Sequence, residues 1–208
     1  RAEIRQHNQV IAAAGVNFID VYQREGVYPT SPPFVAGNEG AGTVVSTGEG
    51  VEGFQPGDRV AWPQALGSAA RFAALPGSEL VPVPEGIDLE TAAAVMLQGL
   101  TAHYLTTSTY AVQPGDTALV HAAAGGVGQL LVQMVRARGG SVVATAGGPD
   151  KCDTARGLGA DHVIDYRAVD DLAGEVRRLT DGRGVDVAYD GVGKDTFDAS
   201  LASLRHRG

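Results

Sequence analysis

The 208-residue sequence predicts an α/β protein of two domains, a small barrel-like domain of short strands followed by a doubly wound parallel sheet. Three observations predict it. From Gln9 to about Pro84 the chain reads as brief β-rich runs cut by Gly and Pro. After Pro114 it switches to a strict alternation of strand and helix, the spacing of right-handed βαβ units. Hydrophobic residues make up 44% of the chain, enough to line two cores, and its 29 glycines are scattered, which excludes a Gly-periodic repeat.

In the first part, strands are expected near 9–14, 40–46, 59–62, 69–74 and 80–83, with a short helix over 17–24. The turn Pro56-Gly57-Asp58 sets the strand at Arg59, and the same triplet recurs at Pro114-Gly115-Asp116 before Thr117. A helical stretch over 88–107 links the halves. The second part then predicts strand 117–121, a helix to about 138, strand 141–146, a helix from about 150, strand 162–165, helix 170–180, strand 185–190 and helix 194–204. The expected domains are 1–108 and 109–208. The opening Arg1-Ala2-Glu3-Ile4-Arg5 lacks an initiator Met, and the chain stops at Arg207-Gly208 where another strand is due, so truncation at both ends is expected and both domains read as incomplete.

Sixteen Lys and Arg against 24 Asp and Glu give a net charge of −8, and no basic stripe offsets it, which argues against nucleic acid and anionic membranes as partners. Divided at Tyr110, the first part carries 5 basic and 11 acidic residues and the second 11 and 13, so the second tolerates an anionic ligand better. A single cysteine, Cys152, excludes an intrachain disulfide and a cysteine-built zinc site, and a reducing, cytoplasmic setting follows. No apolar run approaches the roughly 18 residues needed to span a bilayer.

The strongest local motif is the apolar strand Leu119-Val120-His121 running into Ala122, Ala123, Ala124, Gly125, Gly126, Val127 and Gly128 and then a helix. Small residues let the backbone approach a pyrophosphate, and free N–H groups at the helix start bind its charge, so loop 122–128 is expected to hold a dinucleotide in a Rossmann arrangement. Ala123 stands at the first of the three usual Gly positions; Gly125 and Gly128 keep the others. A tight turn serving only helix–sheet packing is the plainer reading. At the tip of the next strand, where NAD sites carry a carboxylate, the chain has Gly147, expected to leave open space, followed by Lys151, which can reach a phosphate. NADPH is therefore expected over NADH, although a solvated lysine at a helix start would look the same.

Five runs together resemble the NADPH:quinone oxidoreductases, the zinc-free, zeta-crystallin-like branch of the medium-chain dehydrogenase/reductase superfamily. They are Gly15-Val16-Asn17-Phe18-Ile19-Asp20-Val21-Tyr22, Gly26-Val27-Tyr28-Pro29, Met96-Leu97-Gln98-Gly99-Leu100-Thr101-Ala102, the loop from His121 to Gly128, and Tyr189-Asp190-Gly191-Val192-Gly193-Lys194-Asp195-Thr196-Phe197. The resemblance implies a GroES-like β-barrel catalytic domain joined to a Rossmann domain. Zinc-dependent relatives have a Cys where this chain has Asn17 and a His where it has Asn38, so no catalytic metal is implied.

It further implies that Asn17 and Thr101 position the nicotinamide and its ribose, Tyr22 and Tyr28 line the acceptor pocket, and Lys151 and Tyr166 meet the adenosine end of NADPH. Tyr22 could donate to the acceptor oxygen, Asp20 and Gln98 would support the site from behind, and His121 reads as a packed histidine. The implied substrate is a quinone reduced by direct hydride transfer. An enoyl thioester, alkenal or enone with an activated double bond is the alternative within the branch, and a catalytically idle, crystallin-like or RNA-binding NADPH protein is the alternative from another class. A homodimer is the implied assembly.

Overall fold

In the computed structural model, which describes residues 6–208, the first unit is organised by β1 (Gln6–Ala14) and β2 (Gly40–Thr47), antiparallel neighbours at the centre of a five-stranded sheet. β3 (Arg59–Trp62), β4 (Phe72–Pro76) and β5 (Val81–Pro82) complete it in the order β4-β1-β2-β3-β5. The pairing of β1 with β2 shifts register after Asn8 and again after Ile11, and such irregularities increase local twist and curl a sheet. Gly42 permits the closest approach, since a Cβ there would collide with the carbonyl of Val10. The opening residues 1–5, on which the expected N-terminal truncation partly rests, lie outside the described residues.

Inside the curl pack Val44, Val60, Trp62, Ala73, Leu75 and Leu80, with the Trp62 indole N–H donating to Ser68 Oγ at 2.8 Å, so the largest side chain of this core buries no orphan donor. The other face of β2 and β3 presents Ala41 and Ala61 to Ala92 and Ala93 of α2 (Leu89–Tyr104). Small side chains on both sides allow the close approach. The strand expected at 69–74 starts later, at Phe72, because Gly67 and Ala69 spend their N–H groups on the carbonyls of Gly37 and Ala36. α2 stops at Tyr104 and widens into a π-helical turn, Leu105–Thr109, where the Thr106 and Thr107 hydroxyls bond back to the carbonyls of Ala102 and His103.

The chain divides into two units, one ending at Leu100 and the other running from Thr101 to Gly208. In the second, β6 (Thr117–Val120), β7 (Ser141–Ala146), β8 (His162–Asp165) and β9 (Val187–Tyr189) form a wholly parallel sheet in the order β8-β7-β6-β9. Helices α3 (Gly126–Ala137), α4 (Pro149–Gly157), α5 (Leu172–Leu179) and α6 (Phe197–Ser203) alternate with them. Strands buried on both faces read as continuous apolar runs, and the two cores on either side of this sheet are built from Val120, Val142 and Val135 and from Leu119, Val143 and Val176.

The strand expected at 185–190 shortens to β9 because Val185 bridges to Leu204 and Asp186 serves as a buried anchor. Asp186 accepts from the Thr117 N–H at 2.8 Å and from Arg183 and Arg205. Burial alone would raise its carboxyl, but those donors outweigh it and hold it at about 2.

Candidate functional site

In the first unit a polar cluster forms where α1 (Phe18–Arg24) meets the loop before β2 and the middle of α2. Asn17 is the N-cap of α1, and its backbone N–H is taken by Asp20 at 2.8 Å. Its carboxamide nitrogen donates to Glu39 Oε1 at 2.7 Å, while Glu39 Oε2 accepts from the Leu97 N–H at 2.7 Å. Glu39 is fully buried, and a Cβ on Gly15 would strike its carboxylate. Gly15 is thus a required gap above a buried carboxyl group. Gln98 donates to Asn17 Oδ1 at 2.9 Å, and with its amide turned over it would donate to Glu39 at 3.2 and 3.3 Å and to Ala94 O at 2.9 Å.

Asn38, buried beside Glu39, donates to Asp20 Oδ1 at 2.6 Å and to Gln23 Oε1 at 2.9 Å. Its donor end is therefore committed to two acceptors. On the outward side of α1, Tyr22 and Tyr28 meet edge to face with ring centroids 5.5 Å apart and remain 38% and 49% exposed, and Phe18 adds a third ring 6.2 Å from Tyr22. Asn17, Tyr22 and Tyr28 are thus gathered on one short helix and the turn after it. Thr101 lies on α2 one turn beyond Gln98.

In the second unit loop 122–128 joins β6 to α3 as expected, but its residues divide by role. Ala123 and Gly128 are buried: Ala123 packs in the core, and a Cβ on Gly128 would press on the carbonyl of Ala122 and lie 2.8 Å from Ala123 Cα. Gly125 and Gly126 are exposed, and Gly125, the N-cap of α3, supplies no side-chain cap to the helix start. That is the surface an anion can reach. Ala122 adopts φ of 47°, a left-handed conformation rare without a glycine, and its carbonyl accepts from the Gly125 N–H at 2.8 Å, closing the turn.

At the tip of β7 one expectation fails. Gly147 does not open onto free space: a Cβ there would lie 2.5 Å from the hydroxyl and 2.7 Å from Cζ of Tyr166. The glycine is needed because the tyrosine ring lies on it, so Gly147 and Tyr166 form one unit in which the phenol, rather than a vacancy, stands where an NAD site has its carboxylate. Lys151 lies in the first turn of α4, exposed, and among the described residues it makes no ion pair.

Three groups were not singled out by sequence reasoning. Glu39 had one signal, a lone carboxylate inside a run of small residues. Arg167 sits after Tyr166 with no local pattern to mark it. Asp190 caps the loop after β9, accepting from the Gly193 and Val192 N–H groups at 3.0 Å and from the hydroxyls of Thr196 at 2.8 Å and Ser200 at 2.6 Å. Burial pushes its carboxyl up, and these four donors more than offset that, bringing it to about 2. Ser200 also meets His121 Nε2 at 3.0 Å, and His121 Nδ1 meets Thr145 Oγ1 at 3.1 Å. His121 is buried, and that burial lowers its pKa.

Residues 10–85 match the alcohol dehydrogenase GroES-like domain, and residues 126–208 match the zinc-binding dehydrogenase family. The chain is 45% identical to a quinone oxidoreductase of Pseudomonas aeruginosa and 43% identical to a 2-haloacrylate reductase of a Burkholderia species, each alignment covering 99% of this chain and 63% of the relative. Among solved structures, Escherichia coli quinone oxidoreductase complexed with NADPH superposes with a TM-score of 0.95 at 40% identity, again over 99% of this chain and 63% of the other. This chain therefore spans somewhat less than two thirds of the length of these relatives.

Proposed function

Because the chain belongs to the medium-chain dehydrogenase/reductase superfamily, as a homologue of its quinone oxidoreductases, we propose that it works as an NADPH-dependent reductase of quinones that uses no catalytic metal. The observation that carries the choice of acceptor is the half-exposed pair Tyr22–Tyr28, a rigid aromatic wall on the helix that Asn17 caps. A planar, conjugated acceptor fits such a wall by stacking. NADPH supplies the hydride when bound.

The protein's own groups bind and orient. Gly126, exposed at the uncapped start of α3, offers its main-chain N–H to a pyrophosphate, and Gly125, whose own N–H closes the turn onto Ala122, keeps the approach clear of side chains. Gly147, Tyr166 and Lys151 form the adenosine end of the same reading. Asn17 is held at its nitrogen by Glu39, which orients its carboxamide before any ligand arrives, and Thr101 carries the companion role toward the nicotinamide ribose. The Tyr22 hydroxyl is the donor available to an acceptor oxygen that gains charge. Where metal-dependent relatives place two ligands, Asn17 and Asn38 carry amides already engaged with carboxylates, which suits hydrogen bonding and offers zinc no soft donor. Assembly as a homodimer and a cytoplasmic location belong to the same reading.

Similarity to a 2-haloacrylate reductase favours a second reading, reduction of an activated double bond. Benzoquinone, a crotonyl thioester and a 2-haloacrylate should be compared with NADPH as donor and a strong chelator present. The proposal expects kcat/KM for the quinone to exceed the others by at least about tenfold, a difference of 1.4 kcal/mol in transition-state binding, and to be unchanged by the chelator. The reverse order would establish the second reading, and loss of activity on chelation would overturn the metal-free mechanism.

A further inference from the structure

The turn after β7 and the turn after β8 are tied together by one carboxylate. Asp165 Oδ1 accepts from the Gly148 N–H at 3.2 Å and from the Arg167 N–H at 3.0 Å. The two main-chain donors hold its carboxyl below the ordinary value, so the clamp is charged at neutral pH. It fixes Tyr166 and Arg167 over the Gly147-Gly148 tip. The Tyr166 ring covers Gly147, and Arg167 Nη1 reaches to 3.4 Å from the point a Cβ on Gly148 would occupy, with its Cζ 5.9 Å from the Tyr166 ring centroid.

Five other arginines of this unit hold a carboxylate: Arg136 with Asp161, Arg156 with Asp153, Arg178 with Glu175, and Arg183 and Arg205 with Asp186. Among the described residues the Arg167 guanidinium makes no such pair. A charged fork is left beside a phenol and two glycines, where the backbone is bare.

We propose that Arg167 is the residue that reads the 2′-phosphate of NADPH, with the Tyr166 hydroxyl as its partner and Lys151 as a secondary point charge. The inference rests on the NADPH reading above. A guanidinium presents two parallel N–H groups to two phosphate oxygens, which an ammonium cannot do, and packing against the Tyr166 ring restricts the side chain before binding. Asp165 opposes a phosphate, but its Oδ1 serves two N–H groups and its charge is partly balanced by Arg167 itself, and Asp150 in the first turn of α4 is exposed and screened.

The test is calorimetric titration of the chain with 2′,5′-ADP and with 5′-AMP, ligands that differ only in the 2′-phosphate and need no turnover. The parent should prefer 2′,5′-ADP. Arg167→Ala should weaken 2′,5′-ADP about 10- to 100-fold and leave 5′-AMP unchanged, Arg167→Lys should lie between, and Lys151→Ala should lose less. Thermal melting of each variant should match the parent, since Arg167 is exposed. Arg167→Ala keeping the parent's preference while Lys151→Ala abolishes it would overturn this inference and leave the NADPH reading standing. Equal losses for both ligands would also overturn it, by making Arg167 an adenine or fold contact. No preference in the parent would overturn both.

Discussion

The two units build their candidate sites from different materials. In the second, loop 122–128 and the Gly147-Gly148 tip are main chain, shaped by glycines that keep side chains away. In the first, the candidate site is a mesh of amides and carboxylates, and its bonds join residues 22, 58 and 81 positions apart: Asn17 to Glu39, Glu39 to Leu97, and Asn17 to Gln98. A main-chain site needs only the right local geometry. A side-chain site needs several distant segments to arrive together, so its stability and its chemistry are the same contacts.

The largest effect should therefore come from the centre of the mesh. Glu39→Ala removes the acceptor of the Asn17 carboxamide and the carboxylate that meets the Leu97 N–H, and leaves a void beneath Gly15. Losing a hydrogen bond to a buried partner and opening a cavity each cost about 1–3 kcal/mol, so a loss of about 2–4 kcal/mol is expected by urea unfolding, with Glu39→Gln losing roughly half of it. An unchanged urea midpoint for Glu39→Ala would erase the contrast between the units.

The loop offers the matching experiment on main chain. At Gly128 a Cβ meets backbone on two sides, whereas at Gly125 it meets only the Ala122 carbonyl at 3.1 Å. Gly128→Ala should cost about 1–3 kcal/mol by forcing α3 away from β6, and Gly125→Ala clearly less. Equal costs would mean that packing does not divide this loop as its burial does, into a structural half and a ligand-facing half.

The same contrast explains what could be read in advance. β7 and β8 fall at 141–146 and 162–165 as expected, because each is an apolar run closed by turn residues and the strand period is local. Loop 122–128 was legible for the same reason. Gly147 was misread because a glycine states only that a Cβ is unwelcome; whether solvent, ligand or the ring of Tyr166 excludes it depends on a residue 19 positions later. Glu39 escaped notice because a carboxylate has no period, and its partners Asn17 and Leu97 lie in separate elements. The start of β4 was misplaced by a loop pairing at Gly37 that no propensity records.

The smallest effect expected is a pH dependence, and it lies in a side-chain chain of the second unit, His121–Ser200–Asp190. Ser200 has a single hydroxyl proton and donates it to Asp190 at 2.6 Å, so Ser200 must accept from His121 Nε2–H at 3.0 Å, and a neutral ring then accepts at Nδ1 from Thr145 at 3.1 Å. Burial lowers the His121 pKa below its ordinary 6.5, with the charge of Asp190 pulling the other way. The unfolded chain thus takes up a proton near pH 6.5 that the folded chain refuses, and stability falls as pH drops below that value until the folded form protonates as well. Asp186 and Asp190, held at about 2, give up their contributions only between their ordinary 3.8 and that value, below the range of pH 7.5 to 5.5 in which His121 is tested. Urea midpoints at pH 7.5, 6.5 and 5.5 should decline for the parent, and His121→Gln, which keeps a donor and an acceptor but cannot titrate, should decline less. A variant whose midpoints fall as steeply as the parent's would place the acid sensitivity elsewhere in the chain and leave His121 as packing alone.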